Sequence, residues 1–338
     1  MAFKRLDAQD FVVSAEAVQS VAWSTGAPTI SEFYDSTTQK ASPSGNYYLS
    51  VYQTASDDSA AAVQFDITYG NLNGSGSTAY NSGFGLVHYT PSSTIYGQYR
   101  SLVLEDENST FTFGDGTNLI TSSDFWALSI ERARYKEKLY PGTFNLTLKS
   151  GSNTIQLTDN SNEVLTQTFI GTTRVLQIVS GSNGNAYTST GYVAGSGSYG
   201  LFLPDIGTIL LNPYAISQSI RVSPNRNSGV ANGENNATLF TAISGGASFQ
   251  LNSEETITSD YVFVRSRNAE FNYSENPSFI SGSTGEVIYS QFIDNPQVYV
   301  TTVGMYNDAN ELVAVAKLSK PLLKDFTKES LVRVKLDF

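Results

Sequence analysis

His88 is the only histidine among 338 residues. One histidine cannot complete an H-E-x-x-H zinc site or a multi-histidine metal centre. A Ser-His-Asp triad needs only one, but no G-x-S-x-G elbow is present to hold a serine exposed on a strained turn. His88 is therefore expected to be an ordinary strand or loop residue. The chain contains no Gly-Lys dipeptide and hence no phosphate-binding G-x-x-x-x-G-K-[ST] loop. Its G-x-G pairs lie in polar loops without strand-to-helix context, so they read as turns rather than as a dinucleotide fingerprint. The acidic stretch Glu105–Asn108 and the "DGTN" at Asp115 offer the oxygen ligands that calcium takes. Their spacing does not fit an EF-hand, and a solvated turn is the simpler expectation. A glycosidase carboxylate pair is defined by separation in space, so 31 acidic residues neither reveal nor exclude one. No catalytic, cofactor-binding or metal-ligating residue is assigned, and no cofactor is expected.

The charge pattern is more informative. Net charge is −11, yet Lys317, Lys320, Lys324, Lys328, Arg333 and Lys335, six of the 20 basic residues, crowd the end of the chain. Only Asp325, Glu329 and Asp337 stand among them. Lysines there can blunt an exposed sheet edge against aggregation, or they can form a surface that meets an acidic partner. In the last segment Val332, Val334, Leu336 and Phe338 share one face, while Leu331, Arg333, Lys335 and Asp337 share the other. A terminal Phe338 on the apolar face is expected to be buried. The six cations and Phe338 are the candidate partner interface.

The elements that carry these residues read as strands. Val63, Phe65, Ile67 and Tyr69 alternate with polar residues, and Tyr47, Leu49 and Val51 do the same, giving a hairpin with one wet face. Trp126, Leu128 and Ile130 alternate, as do Phe144, Leu146 and Leu148, with Pro141-Gly142 suited to a type II turn between them. "SSTIYGQYRSLVLE" places Ile95, Tyr99 and Leu102 at helical spacing, with Ser92 or Ser93 as N-cap. Near the end, Tyr306–Asn310 makes a turn between two strands, and Lys320-Pro321 is expected to close the second. Gly- and Ser-rich loops fall at 71–85, 180–200 and 223–237. The fold class expected is mainly β, with sandwich-like antiparallel sheets, two β domains and few short helices. The expected organisation is a partly extended N-terminal arm over 1–45, a β domain over 46–215 and a C-terminal β domain with docking strands over 216–338.

Composition narrows the function classes. Charged residues make up 15%, against about 25% in typical soluble domains, with Ser, Thr, Asn, Gly and 20 tyrosines filling the difference. No cysteine is present, which excludes disulfides and Cys-based zinc sites. The overall acidity (pI about 4.6) repels phosphate backbones, so no nucleic-acid partner is expected. No run approaches the ~18 apolar residues of a membrane span. No apolar segment follows "MAFKRLDAQD", so the expectation is folding in the cytoplasm where the chain is made.

The segment "VYVTTVGMYNDANELVAVAKLSKP" resembles the strand-turn-strand of tail-fibre and baseplate-associated proteins of tailed phages. The pattern runs through Val303, Gly304, Met305, Tyr306, Leu312, Val313, Ala314, Val315, Ala316 and Lys317, with Met305 in place of the usual leucine. "TIYGQYRSLVLEDEN", "FWALSIERARYKEKLYPGTFNLTL" and "YGLFLPDIGTILLNP" are similar to segments of virion structural proteins of T4-like tailed phages, the myophage and cyanophage type. The resemblance covers about a third of the chain and is weakest in its N-terminal third. It implies a non-enzymatic structural component of the tail or baseplate, assembled in the host cytoplasm. The partners it implies are other virion proteins of the tail, baseplate or neck, and further copies of the chain. It supplies no catalytic residues. Two other expectations stand beside it: a glycan-binding adhesin, from the Tyr-, Ser-, Thr- and Asn-rich surface and the acidic turns, and a surface hydrolase with an unseen carboxylate pair.

Overall fold

A computed structural model describes residues 4–24, 34–36, 47–78, 90–164, 166–230 and 233–337; His88 and Phe338 lie outside them. Strands β1 (Phe11–Val21), β2 (Tyr34–Ser36), β3 (Leu49–Tyr52) and β4 (Val63–Asn71) come first. Helix α1 (Pro91–Tyr99) precedes β5 (Phe111–Phe113), β6 (Ile120–Ser122), β7 (Asp124–Ile130) and β8 (Lys138–Leu139). Next are β9 (Asn145–Ser150), β10 (Asn153–Asp159), β11 (Thr168–Ile170) and β12 (Thr173–Ser182). They lead into β13 (Asn185–Ala186), β14 (Gly200–Leu203) and β15 (Thr208–Leu211). Helices α2 (Pro213–Ile220) and α3 (Glu234–Gly246) lead to β16 (Phe249–Gln250) and the long β17 (Asn252–Ser266). A one-turn α4 (Gln291–Asp294), β18 (Gln297–Tyr306), β19 (Leu312–Asp325) and β20 (Ser330–Asp337) follow. The architecture is mainly β, as the alternation implied.

The chain divides into two compact units, Val18–Glu255 and the pairing of Met1–Ala17 with Thr256–Phe338. The boundary expected near residue 215 falls instead inside α2, a helix of the larger unit whose Ala215, Ile216 and Ile220 are buried. Apolar positions on α2 and α3 tie residues 213–246 to the same core as the strands before them. The expected N-terminal arm contains β1, which pairs with β17.

In the larger unit the antiparallel order β16-β9-β10-β12-β14-β15-β7-β4-β3-β2 runs through one sheet. Side chains alternate between its faces with period two. Phe65, Ile67 and Tyr69 of β4 and Trp126, Leu128 and Ile130 of β7 enter the core shared with α2 and α3. Phe125 and Ala127 enter a second core with Tyr96 of α1 and with Phe111 and Phe113 of β5. The sheet curls: Phe144, just before β9, stacks on Phe202 of β14 with ring centroids 5.5 Å apart. Trp23 packs edge-on against Phe249 at 4.8 Å and donates its Nε1–H to the Phe249 carbonyl at 2.9 Å. The sandwich-like packing is thus one sheet folded over itself.

Three local expectations need correction. The β3–β4 hairpin forms, with Leu49 opposite Ile67, but β4 has no wet face: Thr68 is buried where α1 packs across the strand, and Gln64 is buried where its amide bonds Ser24 and Gln53. The helix after residue 90 is capped by Thr90, not by Ser92 or Ser93. The Thr90 hydroxyl accepts from the Ser93 N–H, and Pro91 takes the first helical position, where its missing N–H is harmless. The helix then widens into a π turn, Arg100–Leu104, which leaves Leu102 exposed and buries Val103 instead. Pro321, finally, does not end its strand. Residues 318–321 of β19 stand opposite Thr301 alone in a wide bulge, where a missing N–H breaks no ladder bond, and β19 continues to Asp325.

The smaller unit contains two separate sheets. One has the order β1-β17-β20, with β17 and β20 antiparallel from Ser259 opposite Asp337 to Ser266 opposite Ser330. The other is the two-stranded hairpin β18–β19.

Candidate interaction surface

The two units bury apolar side chains very unequally. Among the described residues 44 apolar residues are buried, and only Val262 and Val334 belong to the smaller unit. That unit holds less than a third of the chain, yet among the described residues it carries 14 of the 22 exposed large apolar side chains. They lie on β1 (Phe11, Val12, Val13), on the hairpin (Tyr299, Tyr306, Leu312, Val313, Val315), on the 267–296 connection, and at Phe326 and Leu331. Single exposed hydrophobics are ordinary on soluble proteins; contiguous sets of them mark contact surfaces.

The cations expected to form one docking face are dispersed by the fold. Lys324 is fully buried, and its three N–H donors meet the carbonyls of Asn268 (3.1 Å) and Asp325 (2.9 Å) and Asn272 Oδ1 (2.7 Å). That set saturates an ammonium group, so Lys324 anchors the segment after β17 to β19 and presents no charge outward. Lys335 pairs with Asp337 at 3.1 Å and with Glu16 of β1 at 3.6 Å. Lys328 lies 3.5 Å from Asp325, and Arg333 lies over the Tyr261 ring at 5.4 Å. Lys317 and Lys320 are exposed on β19 and make no ion pair among the described residues. Phe338 lies outside the described residues. The apolar side of β20 follows the alternation, with Val334 buried and Leu331, Arg333, Lys335 and Asp337 exposed.

The larger unit holds the remaining polar constellations. The fully buried Asp124 receives the Arg226 guanidinium on both oxygens, Nε at 2.6 Å and Nη2 at 3.3 Å, and the Tyr69 hydroxyl at 2.8 Å. Burial, followed by the Asp124 charge, pushes the Tyr69 phenol well above its ordinary range. Arg226 also lies over Tyr214, 4.8 Å from the ring centroid. Nearby, Trp126 donates to the Asn235 carbonyl while Asn235 Nδ2 donates to the carbonyls of Gly76 and Asn225. Together these bonds hold the loops at 71–78 and 223–230 to the end of β7. No sequence signal points to this cluster, since its charged partners lie 102 positions apart.

The acidic turns behave as turns. Asp106 accepts from the Asn108 N–H and the Ser109 hydroxyl, and Glu105 accepts from the Thr172 N–H and hydroxyl; these bonds hold both carboxyls below their ordinary range. Asp159 is buried at the end of β10 and accepts from the Gly142 and Ser161 N–H groups; burial pushes its carboxyl up. Gly142 has φ +84°, as the second central position of a type II turn requires. Asp66 is also pushed up, by burial and then by the nearby Glu131 charge. A carboxylate pair must flank a substrate-sized groove. A surface groove of about 580 Å³ lies elsewhere, lined by Lys149, Arg221, Ser223, Thr238 and Thr241. Among the described residues no three His, Asp or Glu side chains converge as a metal-ligand set, and no helix is long and apolar enough to cross a membrane.

Comparison with protein families, with characterised proteins and with solved structures finds no match to this chain. What the geometry defines is a class: a curled, well-packed β body joined to a second β unit in which few of the described apolar side chains are fully buried.

Proposed function

We propose that the chain is a non-enzymatic structural component of a tailed-phage virion, placed in the tail or baseplate, with the larger unit as rigid body and the smaller unit as the docking element. The observation that carries this reading is the burial asymmetry. A unit with two buried apolar residues among those described gains little of the hydrophobic stabilisation that ordering its backbone demands. Packing against neighbouring subunits supplies the missing burial. The hairpin that exposes Tyr299, Leu312, Val313 and Val315 is also the segment that resembles phage tail proteins. Lys317 and Lys320 on β19, with Arg333 on β20, give an acidic partner cations to meet, which sets register more than affinity.

The test is to purify virions from the source of this sequence and identify their proteins by mass spectrometry. The chain is expected there in fixed stoichiometry, and the recombinant protein is expected to form stoichiometric complexes with tail or baseplate subunits. Its absence from the purified particle would end this reading.

A further inference from the structure

β18 is an open edge. It pairs with β19 on one side and with no other strand among the described residues. Its ten residues, Gln297–Tyr306, include no charged side chain and no proline, and none of them is buried. Val298, Val300, Thr301, Thr302 and Val303 are β-branched, the type that fits a pleated surface best. An edge of this kind presents unpaired N–H and C=O groups, and natural proteins protect such edges with charges, prolines or bulges. β19 has all three devices: Lys317, Lys320, Pro321 and the bulge over 318–321. One edge of the hairpin is therefore guarded and the other is not. A two-stranded ribbon is marginally stable in water, whereas three or more strands with an apolar face are not.

We propose that β18 pairs antiparallel with β18 of a second copy of this chain, giving a closed four-stranded sheet in the order β19-β18-β18-β19. The charge pattern selects this occupant. In an antiparallel pairing about a two-fold axis each residue faces the mirror-related position of the other copy's strand, and only a residue at the axis faces itself, so like charges close to the axis repel one another. β18 has none, whereas the same pairing through β19 would set lysines against lysines. The guarded β19 edges then lie outermost and stop growth at two chains. The pairing also draws the exposed Tyr299 and Tyr306 of both copies into one sheet. This inference goes beyond the virion reading and does not depend on it.

Sedimentation of the full chain tests it. The wild type is expected to run as a dimer that dissociates on dilution. Thr301→Lys with Thr302→Lys puts a cation on each face of β18 and is expected to abolish the dimer while leaving the emission of Trp23 and Trp126, both in the larger unit, unchanged. Should that variant fail to fold, Lys317→Thr with Lys320→Thr serves instead: unguarding β19 is expected to carry association past the dimer. A wild-type monomer at every concentration, or a dimer that survives lysines on β18, would overturn the proposal.

Discussion

The rings of Phe65 on β4 and Phe249 on β16 lie 5.1 Å apart, edge to face, although seven strand pairings separate the two strands along the sheet. In a flat sheet that separation would be about 34 Å, at ~4.8 Å per strand. The contact, completed by Trp23, is what closes the curl. Phe249→Ala is expected to cost about 3–5 kcal/mol, the range for truncating a buried aromatic. Urea unfolding followed by tryptophan emission checks it, since both tryptophans sit in this core. A loss under about 1 kcal/mol, typical of tolerated core exchanges, would mean that other contacts close the sheet.

Asp124 is fully buried with Arg226 as its only ion-pair partner among the described residues, while the Arg226 side chain is 37% exposed. Arg226→Ala would strand the carboxylate. Breaking a buried pair costs about 3–5 kcal/mol; the half-exposed guanidinium site lets water replace part of that, so about 2 kcal/mol is expected. Thermal unfolding of Arg226→Ala beside the double variant with Asp124→Asn checks it: the second change is expected to restore part of the loss. No restoration would show that Arg226 acts through Tyr214 packing alone.

Asp159 links stability to pH with a definite sign. Burial raises its folded pKa. Below an ordinary carboxylate pKa of about 3.9 the group is protonated in both states, and its contribution is fully present. That contribution is lost as pH rises through the raised folded value, because the folded state resists ionisation. Asp159→Asn removes the titration. The stability of Asp159→Asn relative to wild type is thus expected to improve as pH rises through this window, read from urea titrations at several pH values. A pH-independent difference would contradict it.

Lys324→Met would leave the carbonyl of Asn268 and Oδ1 of Asn272 without the ammonium they accept from. The expected cost is about 2 kcal/mol for buried acceptors left unpaired, confined to the smaller unit. Limited proteolysis is expected to open the 267–296 connection sooner, with the tryptophan transition unchanged. Equal cleavage rates in variant and wild type would contradict the anchoring role.

Much of the strand pattern was legible because period-two alternation survives wherever one face of a strand is buried: Trp126, Leu128 and Ile130, and Leu146 and Leu148, all lie in the core as their spacing implied. Residues buried on both faces defeated the same reading. Gln64 and Thr68 are polar yet enclosed, Thr68 where α1 packs on β4 and Gln64 where its amide meets Ser24 and Gln53, and nothing local in the sequence signals either cover. The candidate surface was half legible. The lysines were visible, but Lys324 turns inward to acceptors 52 and 56 positions away, and Lys335 finds Glu16 across the β1-β17-β20 sheet. The more telling feature was the uncharged run "QVYVTTVGMY", whose meaning depends on knowing that its outer edge is open.

The smaller unit is expected to draw its stability from contacts outside its own chain. Amide hydrogen exchange of β18 and β1, followed through a dilution series with β7 and β12 as internal references, tests this most directly. Slow exchange at high concentration that becomes fast on dilution, with β7 and β12 slow throughout, is the expected result. Protection of β18 and β1 that matches the larger unit at every concentration would contradict it.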